Sequence, residues 1–324
     1  MTMRSWWIQP RNDATVLEAR EVAVPEPGPG QVLVRLRAAG LNRGEFIAAH
    51  GLTQPGAAKP AGMEGAGEVA RPGAGVTGFR PGERVMGRCP GAFAEYALMD
   101  AREAVPVPHA LSWEEAGAIP LTFMVVHDML IEQGGLKTGE WLLVTGISSG
   151  VGVAALQAGK ALGARVIGTS GSEAKLAKLQ AQGLDLGLCR GNFADAVLQA
   201  TGGRGADLVV NTVGGSVFAE CVRALGFEGR LATVGYLDGV LKAEIDLEAL
   251  HAKRHNLFGV SNKLRSAEQR AHTVRGFVAD LLPMIADGRI RPLVDRVFPF
   301  DQLPQAKAFM EANAHLGKIV LSSP

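Results

Sequence analysis

The sequence predicts an α/β protein: a compact unit of short β-strands, then a doubly wound parallel sheet covered by helices. Three observations predict it. The first hundred or so residues hold short apolar segments punctuated by Gly and Pro. Beyond Ala110, apolar strands and Ala- or Leu-rich helical segments take turns. Within that second region a glycine-rich turn, Thr145-Gly-Ile-Ser-Ser-Gly-Val-Gly152, joins an apolar strand to a helix. With 47% hydrophobic and 20% charged residues in 324, the chain has material for two ordinary cores.

The β unit is read from period-two alternation and its punctuation. Residues 21–24 form a strand closed by Pro25 and Pro27, and residues 31–37 alternate apolar and polar. Residues 65–70, 82–86 and 92–97 are further strands between Gly/Pro turns. Many short strands with frequent turns suit a partly open barrel. Ser112 and Glu115 then form a capping box at a helix start. Strands follow at 141–145, 165–169, 207–211 and 230–234, with helices at 151–161, 172–182 and 217–225. Residues 256–260 add an edge strand. Strand–helix alternation of this kind implies a parallel sheet with both faces covered. The tail carries a helix over 268–286, a strand over 296–300, a helix over 305–312 and a strand over 318–321. That last strand has no parallel partner nearby in sequence and is expected to return to the β unit. The β unit would then be discontinuous, residues 1–117 and 266–324, with the parallel-sheet domain at 118–265.

Composition excludes several classes. A net charge of +1 gives no electrostatic case for nucleic acid. No apolar run is long enough for a membrane span, and the N-terminal residues lack the apolar core of a signal peptide, so a cytoplasmic protein is expected. Cys89, Cys189 and Cys221 lie far apart and form no C-x-x-C pair, which argues against a disulfide framework and a structural zinc.

The chemistry points to the glycine turn. Gly146 permits a tight exit from the strand, Gly150 leaves room for a pyrophosphate and Gly152 lets the helix pack closely. The N–H groups of Ile147, Ser148, Ser149 and Val151 complete a segment whose backbone can face an anion at a helix start. The spacing departs from G-x-G-x-x-G, but the strand, helix and second strand that such a turn needs are all present. A nicotinamide dinucleotide is the expected ligand. The second strand ends at Ser170-Gly171-Ser172 with no carboxylate for ribose hydroxyls. Glu173 is expected to close a capping box with Ser170 instead. Lys175 and Arg190 lie where a 2′-phosphate could be met, so NADP (NADPH) is favoured over NAD.

These pieces resemble the medium-chain dehydrogenase/reductase superfamily, and within it the zinc-free quinone oxidoreductase group. The resemblance runs through Gly40-Leu-Asn-Arg-Gly-Glu45, Gly62-Met-Glu-Gly-Ala-Gly-Glu-Val69 and Phe79-Arg-Pro-Gly-Glu-Arg-Val85. It continues through Ala92-Phe-Ala-Glu-Tyr-Ala97, the glycine turn, Val213-Gly-Gly215 and Gly317-Lys-Ile-Val-Leu321. It implies a GroES-like β domain, a Rossmann domain, an active site in the cleft between them and a homodimer joined through the edge strand. It also implies that Asn42 lies beside the nicotinamide ribose or the substrate. Thr212, Val213, Gly214, Gly235 and Tyr236 would flank the nicotinamide half, with Asn262 completing the cleft. Zinc-dependent relatives place Cys and His where this chain has Asn42 and Met63, so no metal is expected.

Without a Lewis acid, the acceptor must take hydride readily, as a quinone or similarly activated small molecule does. Alternatives are reduction of an enone or enoyl-CoA C=C bond, and NADPH binding without catalysis. A position that often carries a proton-donating Tyr in enoyl-thioester reductases falls on Thr53, which counts against the first. A short-chain dehydrogenase is excluded because neither Tyr96 nor Tyr236 is followed four residues later by Lys.

Overall fold

The computed structural model describes residues 1–11, 14–47, 57–189 and 191–323. Contacts divide the chain into two compact units. The first comprises Met1–Met124, Lys263–Val278 and Pro292–Pro324; the second comprises Val125–Asn262 and Ala279–Arg291.

In the first unit, the strand Gln31–Gly40 is the organising element. It pairs antiparallel with Glu64–Pro72, Tyr96–Asp100 and Lys318–Ser322. Its inward residues Val32, Val34 and Leu36 are buried with Phe93, Ile319 and Leu321 in one core. Full burial of each such side chain is worth roughly 1.5–3 kcal/mol. A hairpin of Thr2–Arg11 with Ala14–Ala23 forms a second sheet, which the sequence reading missed apart from residues 21–24. Its outer strand is rich in charge, which hides its period. The strand expected over 92–97 forms instead at Tyr96–Asp100. The capping box at Ser112 is formed in both directions, Glu115 N–H to Ser112 Oγ at 3.2 Å and Ser112 N–H to Glu115 Oε2 at 2.9 Å. Lys318–Ser322 does return to this unit, but it also has a parallel partner, Val294–Pro299, contrary to expectation. The helix expected over 268–286 is two helices, Ala267–Asp280 and Leu282–Ala286. Pro283, near the start of the second, removes a donor that a continuous helix would need.

The second unit is a parallel sheet. Its strand order across the sheet is Leu186–Cys189, Arg165–Ser170, Trp141–Val144, Ala206–Asn211, Leu225–Thr233 and Asn256–Gly259. Every adjacent pair is parallel. Numbered along the chain this is 3-2-1-4-5-6, the Rossmann order. The winding reverses between Trp141–Val144 and Ala206–Asn211, and ligands of such sheets bind at the carboxyl ends of the strands at that reversal. Asn256–Gly259 is the edge strand, as expected. No helix among the described residues is long and apolar enough to cross a membrane.

Candidate functional site

Leu142, Leu143 and Val144 are fully buried, which fixes where the chain must turn. Gly146 opens the turn with φ at +64°. That left-handed value costs an L side chain roughly 1–2 kcal/mol, and a Cβ there would lie 2.6 Å from Thr212 Oγ1. Ser149 is the N-cap of the helix Gly150–Ala161, its hydroxyl accepting from Gly152 N–H at 3.1 Å. A Cβ on Gly152 would come within 2.6 Å of Gly146 O and of Ile147 Cα and O. The expected role of Gly152 is thereby sharpened: it makes room for the turn's own backbone. The N–H groups of Gly150 and Val151 have no acceptor among the described residues. They sit at the positive end of the helix dipole, a combination that suits an anion.

The neighbouring strand ends in a loop that the sequence reading named only in part. Asn211 is buried and organises it. Its Oδ1 accepts from Val213 N–H and Gly214 N–H, both at 3.0 Å, and its Nδ2 donates to Gly214 O at 2.9 Å. Thr212 Oγ1 donates to Thr145 O at 2.7 Å, while Thr145 Oγ1 accepts from Thr212 N–H at 3.1 Å. The two loops at the reversal of winding are thus tied together. Asp238 adds the next loop. It accepts from Ser216 N–H at 2.8 Å and Val240 N–H at 2.9 Å, and its own N–H donates to Val213 O at 3.0 Å. Partial burial works against its charge, but these hydrogen bonds hold its carboxyl below the usual range. Gly235 and the exposed Tyr236 precede it on the same loop.

The tip of the second strand also joins the turn. Ser170 is buried, its hydroxyl 3.2 Å from that of Ser148 and accepting from Ser172 N–H at 3.3 Å. The capping box expected between Ser170 and Glu173 does not form. Ser172 is extended and caps Glu173–Gln180 by accepting from Lys175 N–H, so Glu173 is the first helical residue. Its carboxylate accepts from the Cys189 thiol at 3.8 Å. Gly171 is exposed and Asn262 is half-buried. Arg190 and Thr53 lie outside the described residues.

Asn42 belongs to the first unit and to a different kind of site. Its Nδ2 donates to Glu45 Oε1 at 2.8 Å and to Glu64 Oε1 at 2.9 Å. Its Oδ1 accepts from Lys318 Nζ at 3.0 Å. Lys318 donates further to Glu64 Oε1 at 2.7 Å and Leu41 O at 3.0 Å, and Glu64 Oε2 accepts from Leu121 N–H at 2.7 Å. Glu64 is wholly buried. Burial, opposed by the Asn42 hydrogen bond, pushes the carboxyl of Glu45 up to about 8. Glu45 Oε2 has no hydrogen-bond partner among the described residues. The sequence carried a signal for this cluster: a Lys opening the apolar run Lys318-Ile-Val-Leu, and a Glu among small residues at Glu64.

The model described as alcohol dehydrogenase GroES-like domain matches residues 28–109, and the one described as zinc-binding dehydrogenase matches 188–321. The human synaptic vesicle membrane protein VAT-1 homolog is 30% identical, over 95% of this chain and 83% of its own length. The spectinabilin polyketide synthase system protein NorB of Streptomyces orinoci is 32% identical over 98% of this chain. The chain spans only 14% of that synthase protein's length. Among solved structures, mycobacterial Rv1454c in complex with NADPH superposes with a TM-score of 0.88 at 26% identity, covering 99% of both chains. A quinone oxidoreductase of Pseudomonas syringae pv. tomato DC3000 has the same TM-score, identity and coverage, 0.88, 26% and 99%.

Proposed function

The chain belongs to the medium-chain dehydrogenase/reductase superfamily, in its quinone oxidoreductase-like group, and on that premise we propose that it is an NADPH-dependent reductase of quinones or similarly activated small molecules. The observation that carries this reading is the glycine turn at the point where the sheet reverses its winding. It offers the N–H groups of Gly150 and Val151 to a pyrophosphate. Ile147, Ser148, Ser149 and Gly152 shape that seat, and Thr212, Val213 and Gly214 with Gly235 and Tyr236 line the adjoining loops. Ser170 in place of an acid, with Lys175 and Arg190 following the second and third strands in sequence, supports the 2′-phosphate form, as does the NADPH held by Rv1454c. When bound, the nicotinamide supplies a hydride.

Zinc does not fit this chain. The two positions that resemble the zinc-ligand positions of metal-dependent relatives carry Asn42 and Met63, and Asn42 Oδ1 already accepts from the Lys318 ammonium at 3.0 Å. Among the described residues no three His, Cys, Asp or Glu side chains are grouped to hold an ion. We therefore read the reduction as metal-free, which favours acceptors that need no Lewis acid. A second reading is reduction of an activated C=C bond, which likewise needs no Lewis acid. The exposed edge strand Asn256–Gly259 supports pairing of two copies along it.

The test is a titration of NADPH and NADH with turnover against quinones, enones and an enoyl-CoA. NADPH oxidation by quinones at least about tenfold faster than by enoyl-CoA is expected, and the reverse order would favour C=C reduction. Tight NADPH binding without oxidation across the panel would leave a binding protein. Arg190→Ala is expected to weaken NADPH about tenfold, roughly 1.4 kcal/mol, and NADH much less. An equal loss for both cofactors would contradict its role.

A further inference from the structure

We infer that Glu45, Glu64 and Lys318 are positioning residues that lock the Asn42 amide with its N–H groups turned inward, so that Asn42 meets a bound molecule only as an acceptor for a hydroxyl. This rests on the reading that the chain binds a dinucleotide and reduces a small molecule. A primary amide has two N–H donors and two acceptor lone pairs. Both donors of Asn42 are taken, by Glu45 Oε1 at 2.8 Å and Glu64 Oε1 at 2.9 Å. One acceptor position is taken by Lys318 Nζ at 3.0 Å. The other lone pair of Oδ1 is not taken by any of the described residues.

The amide cannot turn over. A flip would face its N–H groups towards the ammonium and its oxygen towards the Glu64 carboxylate. Nor can the partners readily move. All three N–H groups of Lys318 are used, on Leu41 O, Asn42 Oδ1 and Glu64 Oε1. Glu64 is anchored on its other oxygen by Leu121 N–H. A Cβ at Gly40 would lie 2.6 Å from Glu64 Oε1, so the carboxylate is also enclosed by packing. Glu64 and Lys318 balance one charge with another, and the raised carboxyl of Glu45 keeps its proton at neutral pH. The other titratable groups nearby do not upset this balance. Burial pushes the Cys89 thiol up, and Arg43 is turned to Met310 O and Asn313 Oδ1.

A quinone or enone oxygen is itself an acceptor, so Asn42 cannot hold it. A hydroxyl can be held. It comes either from a ribose of the dinucleotide or from the reduced product, and the two leave different kinetic marks.

The experiment uses the full chain and has two arms. In the first, the side-chain amide of Asn42 is followed by ¹⁵N NMR, assigned by its loss in Asn42→Leu. Exchange with solvent about tenfold or more slower than for exposed Asn amides is expected, as for a doubly bonded donor. Glu45→Gln should keep that protection and Glu45→Leu should lose about tenfold of it. Fast exchange in the unaltered protein would overturn the proposal without recourse to any variant. In the second arm, Asn42→Leu is expected to raise the KM of NADPH about tenfold if a ribose hydroxyl is held. If the product hydroxyl is held, kcat falls by a similar factor with the KM of NADPH unchanged. Glu45→Leu should move the same parameter in the same direction, with Glu45→Gln recovering to within about threefold. A shift in Asn42→Leu that a folded Glu45→Leu does not share would overturn the positioning role. If the protein binds no NADPH and reduces no quinone while the Asn42 amide stays protected, the lock stands and the functional reading fails.

Discussion

The glycine turn of the second unit and the Asn42 cluster of the first reach order by opposite means. The turn works by leaving side chains out. Gly146 and Gly152 clear space for backbone, and the groups offered outward are N–H dipoles. The cluster works by filling space with charge. Two carboxyls, one amide and one ammonium are closed off together, and the backbone N–H of Leu121 and the carbonyl of Leu41 complete them. The turn is eight consecutive residues whose geometry is local. The cluster draws on residues 41, 42, 45, 64, 121 and 318 and exists only once the strands have paired. A local device fails by steric overlap, whereas a device made of buried charge fails by losing compensation. The second kind of failure depends on pH and does not add up residue by residue.

The largest effect should come from breaking compensation. Lys318→Met leaves the buried Glu64 without its ion-pair partner, a loss of about 3–5 kcal/mol, read by urea unfolding at neutral pH. A loss below about 1 kcal/mol would mean that the ion pair does not hold the cluster together. Breaking the turn should act on binding first. Gly152→Ala puts a methyl 2.6 Å from three backbone atoms. NADPH affinity is expected to fall about 100-fold, roughly 2.7 kcal/mol, with a stability loss of about 1–3 kcal/mol from the overlap. Fluorescence titration and thermal melting separate the two. Unchanged affinity in Gly152→Ala would remove this turn from the proposed cofactor seat.

This contrast also explains what the sequence could and could not show. The parallel sheet was legible because each buried strand is a short apolar run and each helix carries its own start and stop. Gly163 and Gly183, both at positive φ, are such stops. The turn was legible because its glycines are adjacent in sequence. Asn211 was not: an Asn at the end of an apolar strand gives no hint that its amide will organise the two residues Val213 and Gly214. Glu64 and Lys318 lie in segments that were noticed, but nothing in either segment says that the other is its partner. The hairpin strand Ala14–Ala23 was only partly legible, because its charged residues conceal the alternation. The capping box at Ser170 failed because two serines compete for one cap, and the backbone at Ser172 wins with an extended φ of −132°.

Glu45→Gln sharpens the comparison through pH. The carboxyl of Glu45 moves from its ordinary 4.5 up to about 8 on burial. Between those values the unfolded chain has released a proton that the folded protein keeps, so folding stability falls as pH rises. The slope is about 1.4 kcal/mol per pH unit, flat below the lower value and above the higher one. Gln at this position cannot ionise, so Glu45→Gln should gain on the unaltered protein steadily from pH 5 to pH 8. Parallel urea curves at those two values test it. A constant gap across the range would show that Glu45 is already ionised when folded.

The smallest effect belongs to Asp238→Asn. Asp238 holds Ser216 and Val240 N–H on its two oxygens, and Asn can accept from only one of them while its own N–H faces the other donor. A stability loss of about 1 kcal/mol is expected near neutral pH. Because the Asp carboxyl is held below its usual range, its contribution is complete at pH values above that range. It disappears as pH falls through the lowered value, so the variant and the unaltered protein should converge in acid. The loops are also joined by backbone, with Gly215 N–H on Val240 O at 3.0 Å and Asp238 N–H on Val213 O at 3.0 Å. If Asp238→Asn changes neither stability nor NADPH affinity, those backbone bonds suffice. The Asp238 loop would then be held by backbone alone, which widens its contrast with the charge-built cluster around Asn42.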